Sequence, residues 1–455
     1  MHHPRTQGDR RAGADWRFAG DRGAEVLKTL GFAAASLARV HSSRAAIAAY
    51  QLRQLNDVLR HAVQRVPYYG ELFAAHGLRA EEIQSVGDLA RVPITGKREL
   101  RALAPEALIA RGVERTRLIE HKTSGSTGIP TRIWRTATEE RRLNLQRWRA
   151  LWLLGLRPRD RVAIVKTIWD APPPSFDRLQ TLSRRLGLLD RRIVDCFQPP
   201  AALLAQLRAF RPHVVAGYPG VLVGIARAIA TEGRDDWTPR IVLTGGESLL
   251  HPHRALVRDR FGAPVYDIYG TTECNVAAWE CPHTGEYHTC DDSVIVEICR
   301  DGVPVAPGET GEVVITSLHS RAMPLIRVAL GDEAVAGSPQ CACGLPFSTL
   351  REVRGRVMDF LPLPEGRRLH PFALLNVVVD TAGHWIAEYQ ITQLARDRFV
   401  MELVGSRAVG PDDLAALLTA MVELLGTNVR FDIEQVSDIA RDRSGKLHFC
   451  RSLVA

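Results

Sequence analysis

The sequence predicts an α/β protein: a large N-terminal domain of helix-covered, mostly parallel sheets with a β-layer, then a small α+β C-terminal domain. Three observations carry this. Between residues 161 and 268, short apolar runs alternate with segments of helical period, the pattern of a parallel sheet under helices. From 293 to 335 the chain turns strand-rich, with turn signals at Arg300-Asp301-Gly302 and Pro307-Gly308. The last hundred residues carry a hairpin, a helix and a strand of their own. At 455 residues the chain is too long for one ordinary core, and it divides into an arm (1–45), a large domain (46–355) and a small, mobile domain (356–455).

Taken in order, residues 1 to about 20 are rich in Arg and Gly and lack periodicity. Ile47, Leu52, Leu55, Val58, Leu59, Ala62 and Val63 fall at helical spacing, and Pro67 stops that helix. Strands are expected at 161–165, 214–217, 241–244 and 265–268, with helices at 201–210, 221–231 and 251–261 between them. The C-terminal unit should pair 386–394 with 399–405. A helix from Asp412 then buries Leu414, Leu417, Leu418, Met421 and Leu425 and stops at Gly426, before a strand over 429–436.

Composition narrows the function. The apolar and charged fractions, 45% and 24%, are those of a soluble globular protein. No apolar run reaches the roughly 18 residues of a membrane helix, and the Arg-rich start lacks the apolar core of a secretory signal, so a cytoplasmic protein is expected. The net charge of +8 is scattered and rarely interleaved with aromatics; an anionic small molecule accounts for it as well as nucleic acid does. Lysine is rare: Lys28, Lys97, Lys122, Lys166 and Lys446 are the only five among 59 basic residues. A lysine kept against that background suggests a place where a compact ammonium serves and a guanidinium fork does not.

The most informative segment is Thr123-Ser124-Gly125-Ser126-Thr127-Gly128-Ile129-Pro130-Thr131. Its glycines let backbone N–H groups approach an oxyanion, and the hydroxyls of Ser124, Ser126, Thr127 and Thr131 add donors, so the loop reads as a polyphosphate cradle. No Gly-Lys-Ser/Thr closes it, which excludes the Walker type. A flexible linker is the alternative, and the apolar flanks Leu118-Ile119 and Ile133-Trp134 argue against it. Further along come Tyr269-Gly270-Thr271-Thr272-Glu273 directly after a strand, Gly331-Asp332, Gly355-Arg356, and Ser444-Gly445-Lys446 near the end. A tyrosine can cover a purine, hydroxyls and a carboxylate at a strand end can reach phosphate and its magnesium, and Asp332 is suited to ribose hydroxyls.

In this combination and order the five motifs resemble those of the adenylate-forming superfamily of acyl- and aryl-CoA synthetases. Within it the chain is most similar to the phenylacetate–CoA ligase group, through Val66-Pro67-Tyr68-Tyr69, Val92-Pro93-Ile94-Thr95-Gly96-Lys97 and Gly217-Tyr218-Pro219-Gly220. The likeness spans about residues 45–455. It implies activation of a carboxylic acid by ATP through an acyl-adenylate, then thioester formation with CoA. Ser124, Gly125, Ser126, Thr127, Gly128 and Thr131 would hold the ATP phosphates, and Gly246, Glu247, Gly270, Thr271 and Thr272 would complete the nucleotide site. Tyr269 would stack on adenine, Glu273 would hold Mg2+, and Asp332 and Arg356 would grip the ribose. Lys446 would bridge the carboxylate and the α-phosphate, where two anions meet. The resemblance also implies a hinge at Asp359. Met358 beside it and Val328 near Asp332 depart from the family pattern, which leaves a carrier-protein thiol, an amine or a hydroxyl as the alternative acceptor.

Trp169, Tyr218 and Gly245 are expected to line the acid pocket, where two glycines and two aromatic faces favour an aromatic or arylacetic acid over a fatty acid. Cys341-Ala342-Cys343-Gly344 has the shape of half a structural Zn2+ site, and Cys281 with His288 supplies the other half. Cys290 and His283 compete for those places, and plain packing of reduced cysteines is the alternative. The expected partners are a small carboxylic acid and CoA or a carrier protein, with no nucleic acid and no membrane, for a monomer or homodimer.

Overall fold

The computed structural model describes residues 22–122, 131–166, 187, 188, 190–233, 237–356, 361–369, 371–383, 385–441 and 449–454. Of the expected site residues, Ser124, Gly125, Ser126, Thr127, Gly128, Trp169, Asp359 and Lys446 lie outside them, as does the side chain of Arg356.

The helix Arg44–Arg65 buries Ile47, Leu55, Val58, Leu59 and Ala62, and the Ser43 hydroxyl caps it by accepting from the Ala46 N–H. Pro67 stops this helix and opens the next, Pro67–Ala75, because a residue without an N–H costs nothing in a first helical turn. Strands β1 (Ile119–Lys122) and β2 (Arg132–Arg135) flank the glycine-rich loop as an antiparallel pair. They are followed by β3 (Arg161–Lys166), β4 (Asp190–Asp195), β5 (Val214–Gly217), β6 (Ile241–Gly245) and β7 (Val265–Tyr269). Helices Pro200–Phe210, Pro219–Glu232 and His251–Phe261 alternate with these strands. Pairing within β4-β3-β5-β6-β7 is parallel throughout.

Successive side chains of these strands enter different cores. Val214, Ile241 and Leu243 join one apolar cluster, and Val215 and Val242 join the other. Both faces are therefore dry, which is why the strands read as unbroken apolar runs rather than as alternation.

The strand-rich stretch that follows is hydrogen-bonded to the same sheet. β8 (Ala278–Glu280), β9 (Tyr287–Thr289), β10 (Val294–Arg300), β11 (Val303–Pro304), β12 (Thr310–Ser317), β13 (Val328–Ala336) and β14 (Thr349–Arg356) extend it to twelve strands. The order is β11-β10-β12-β13-β14-β9-β8-β7-β6-β5-β3-β4, antiparallel from β7 to β11.

After β14, a third cluster gathers residues between 361 and 450, with Leu250 the one contribution from earlier in the chain. Beyond the short pair β15 (Leu361–Pro362) and β16 (Arg368–Leu369), its sheet consists of β17 (Ile386–Ala395), β18 (Arg398–Gly405), β19 (Arg430–Gln435) and β20 (Cys450–Ser452). β17 and β18 form the expected hairpin, and the helix Pro411–Leu425 ends at Gly426. No helix among the described residues is long and apolar enough to cross a membrane.

The expected arm over 1–45 needs correction: the helix Arg22–Val40 lies within it and is docked. Its Ser36 is buried and donates to Gln146 Oε1 at 2.9 Å, and Arg39 Nε donates to Asp292 Oδ2 at 2.7 Å. Asp292 is inaccessible to solvent and also takes both Nη atoms of Arg149, at 2.6 and 2.8 Å. Burial alone would raise its pKa, but Arg149 and Arg39 outweigh burial and hold the carboxyl far below the usual range. The folded pKa is thus depressed, so the stabilisation is complete above the unfolded value of ~3.9 and is lost as pH falls from there. Asp292→Asn should cost about 3–5 kcal/mol in denaturant unfolding at pH 7, because it leaves Arg149 buried without a counter-charge. The gap to the wild type should begin to narrow below about pH 4 and close only at strongly acidic pH.

Candidate active site at the end of strand β7

β7 pairs with β6 in parallel and with β8 antiparallel, so the chain must reverse tightly at its end. That reversal carries the Tyr269–Glu273 motif. The Asn275 N–H donates to the Thr271 carbonyl at 2.8 Å, and the Cys274 N–H donates to Thr271 Oγ1 at 3.3 Å. Asn275 adopts φ +67°, a left-handed conformation that asparagine tolerates, and its Nδ2 donates to Asn144 Oδ1 at 3.0 Å. Gly270 is required: a Cβ there would lie 2.9 Å from the Asn275 carbonyl oxygen.

From the other side, buried Arg135 donates to the Thr272 carbonyl and, at 3.2 Å, to Glu140. Glu140 also meets His121 Nε2 at 3.0 Å. Burial would raise the pKa of Glu140, but His121 and Arg135 together bring it down to about 2. The turn so fixed turns Glu273 inward, where its side chain is 2% exposed and lies 3.1 Å from Lys97 Nζ. Among the described residues, Oε1 of Glu273 has no hydrogen-bond partner beyond that ion pair.

The nucleotide-side residues converge here. Tyr269, the last residue of β7, donates its hydroxyl to Asp332 Oδ2 at 2.6 Å. Asp332 stands opposite Arg356 in the β13–β14 register, so the chain brings the expected ribose pair together at backbone level. Thr131 is buried just before β2. Gly246 takes φ +81°, and Glu247 accepts from the Gly220 N–H at 2.9 Å in the first turn of the helix Pro219–Glu232. That helix is capped by Tyr218, which is half-buried. Gly245 sits where β6 and β7 approach: a Cβ would fall 2.7 Å from the Ile268 carbonyl oxygen.

Lys97, Arg135, Glu140 and His121 were not among the residues expected from sequence. For Lys97 the signal was there, since it is one of five lysines. The other three carry none, because their role rests on contacts distant in sequence.

The second cluster is where the sequence placed it. One ligand atom each from Cys281, His288, Cys341 and Cys343 lie within 4.8 Å of one another, and Cys290 and His283 are not in the group. Cys281 and His288 flank the β8–β9 turn, and Cys341 and Cys343 form the turn before β14, whose Thr349 pairs with His288. Sγ of Cys341 and of Cys281 are 3.9 Å apart, and Cys343 Sγ is 3.4 Å from His288 Nε2. A tetrahedron with zinc–sulfur bonds of about 2.3 Å has edges of about 3.8 Å, so the donor set fits that ion.

Gly245→Ala should cost about 1–3 kcal/mol in denaturant unfolding, because the Ile268 carbonyl is backbone and cannot swing aside. A variant as stable as the wild type would show that the β6–β7 contact tolerates a methyl group.

Residues 184–320 match the family described as AMP-binding enzyme, and residues 361–452 match the CapK C-terminal domain. The phenylacetate-coenzyme A ligase of Pseudomonas putida is 26% identical over 337 residues, covering 70% of this chain and 72% of that protein. The ligase of the same name from Aromatoleum evansii is 23% identical over 428 residues, covering 90% and 91%. A solved structure of 2-hydroxyisobutyryl-CoA ligase in the postadenylation state superposes with a TM-score of 0.73 at 21% identity, covering 91% of each chain. With its AMP-binding-enzyme match and its likeness over most of its length to phenylacetate-coenzyme A ligases, the chain is similar to the adenylate-forming superfamily, close to the phenylacetate–CoA ligase group.

Proposed function

We propose that this protein activates an aromatic or arylacetic acid with ATP and passes the acyl group to CoA. The observation that carries the reading is the junction at the end of β7, where Glu273 is buried against Lys97 beside the Tyr269–Asp332 pair. In the first half-reaction a carboxylate oxygen of the acid attacks the α-phosphorus and pyrophosphate leaves. In the second, the CoA thiolate attacks the acyl carbon and AMP leaves. Asp332 and Arg356 hold the ribose, and Tyr269 closes the adenine side. The loop Ser124–Thr131 and Lys446 are assigned to the phosphates by their chemistry, because the charge of two approaching anions must be balanced. Glu273 is the carboxylate for Mg2+, which supplies charge neutralisation on the triphosphate. Tyr218, Gly245 and Trp169 present flat surfaces to the acid, and Asp359 is the hinge between the two half-reactions. ATP and free CoA are cytoplasmic substrates, which supports that compartment.

The reading is tested with a panel of carboxylic acids assayed for pyrophosphate release, with and without CoA. An arylacetic or aryl acid should outpace aliphatic acids, and CoA should convert the adenylate to thioester. Lys446→Ala should slow pyrophosphate release by about two to three orders of magnitude with little change in ATP binding. An unchanged rate would remove Lys446 from the reaction. Pyrophosphate release without a thioester on any acid would replace CoA by a carrier thiol, an amine or a hydroxyl.

We further infer that Cys281, His288, Cys341 and Cys343 hold a structural zinc ion that ties the β8–β9 turn to the approach of β14. The fit of donor atoms to a tetrahedral site supports it. Protein purified without added metal should contain about one zinc per chain by elemental analysis. Cys341→Ser/Cys343→Ser should lose the metal and part of the thermal stability. Zinc retained in that variant would place the ligands elsewhere.

A further inference from the structure

Lys97 begins the helix Lys97–Ala102, and the residues before it are fixed to the sheet. The Thr95 N–H donates to the Arg327 carbonyl at 2.9 Å, and the Ala329 N–H donates to the Thr95 carbonyl at 3.0 Å. Thr95 Oγ1 lies 2.8 Å from the Tyr68 hydroxyl, which in turn donates to Glu99 at 2.8 Å. A segment far from β7 in sequence thus delivers one ammonium to Glu273 at 3.1 Å. Arg135 is committed to the Thr272 carbonyl and Glu140, and the charges nearby on β12 and β13, Glu312 and Asp332, are negative. Among the described residues, Lys97 is therefore the cation that balances a carboxylate which water hardly reaches. Its own side chain is 24% exposed, so it keeps a way out.

We propose that Lys97 is a resident counter-ion that occupies the cation position at Glu273 and keeps a bare divalent ion from binding there. The proposal rests on the reading of Glu273 as the magnesium carboxylate. An ammonium and a divalent ion cannot both sit in contact with one nearly dry carboxylate, because their mutual repulsion there is poorly screened. The ion gains the carboxylate only when it arrives with a nucleotide whose phosphates accept the displaced ammonium. In a chain that otherwise prefers arginine, lysine suits this position because its single compact charge can leave, whereas a guanidinium would hold both carboxylate oxygens in a fork. The site is thereby selective for the metal–nucleotide complex over either component.

Mn2+ is the probe, its free concentration read by electron paramagnetic resonance with the full chain, with and without a non-hydrolysable α,β-methylene ATP analogue. Without nucleotide, Lys97→Met should bind one Mn2+ at least tenfold more tightly than the wild type. Lys97→Arg, which keeps the charge, should exclude Mn2+ as the wild type does. With the analogue, the wild type and Lys97→Met should each take up one Mn2+, whereas Lys97→Arg should take up at least tenfold less, because its fork does not leave the carboxylate. Equal Mn2+ affinity of Lys97→Met and wild type without nucleotide would overturn the proposal, as would tight binding by Lys97→Arg. Should Lys97→Met fail to fold, Lys97→Gln serves the same comparison with a polar, uncharged side chain. Glu273→Gln separates the two readings. Undiminished Mn2+ uptake with the analogue in that variant would remove Glu273 as the metal carboxylate, whatever Lys97 does.

Discussion

Glu273 is a charge kept where water scarcely reaches, and much of the architecture follows from the cost of keeping it there. The Glu273 carboxylate is met by Lys97, and its turn is clamped by Arg135 at the Thr272 carbonyl. The turn exists because β7 is the strand at which the sheet changes from parallel to antiparallel pairing. On the parallel side a strand end leads into a helix. On the antiparallel side the chain must double back within a few residues, and that short reversal is stiff enough to aim a side chain. Open α/β sheets bind ligands where connectivity switches at the carboxyl ends of strands, and β7 is such a place.

The stiffness continues outward along the β-layer. β8 and β9 extend directly from the reversal, and the Cys/His cluster closes over their turn. Beyond the cluster, Asp292 binds Arg149 and Arg39, tying the helices Ala137–Leu153 and Arg22–Val40 to the chain leading into β10. Helix Ala137–Leu153 begins in a capping box at Thr136, directly after Arg135, and supplies Glu140 and Asn144 to the site. One helix therefore has the Glu273 turn at one end and the Asp292 knot toward the other. Disturbing either should be felt at both, since the helix is a rigid connector.

What the sequence disclosed follows the range of the interactions involved. The strand–helix alternation over 161–268 was legible where burial on both faces leaves continuous apolar runs, with ends agreeing to within a residue or two, whereas the polar edge strand β4 was missed. The Cys/His group was legible because each half is a short turn with its two ligands only residues apart. The continuity of the sheet was not, since β9 and β14 meet through only Thr349–His288 and Leu350–Tyr287. Nor was the docked helix at 22–40, whose anchor Arg39 finds its partner in Asp292, far along the chain. Lys97 lay between these cases: its rarity marked it, but nothing local named Glu273 as its partner. Short-range chemistry is written in the sequence, whereas a long-range ion pair is created by the fold.

The C-terminal unit obeys a different constraint. It meets the large domain through Leu250, which enters its apolar cluster, and through His253, whose ring lies 5.2 Å from that of Phe449. Phe449 lies 5.3 Å from the Tyr389 ring as well, so one aromatic side chain spans the two domains. These contacts are apolar and aromatic, and beside them Arg227 of the helix Pro219–Glu232 interacts electrostatically with Glu388 and Tyr389. A rotation of the small domain, which the two proposed half-reactions require, has to part a leucine and one ring contact there and withdraw Arg227 from Glu388. Ionic clamps thus hold the Glu273 turn, whereas the seam to the C-terminal unit is mostly apolar with Arg227 as its charged member.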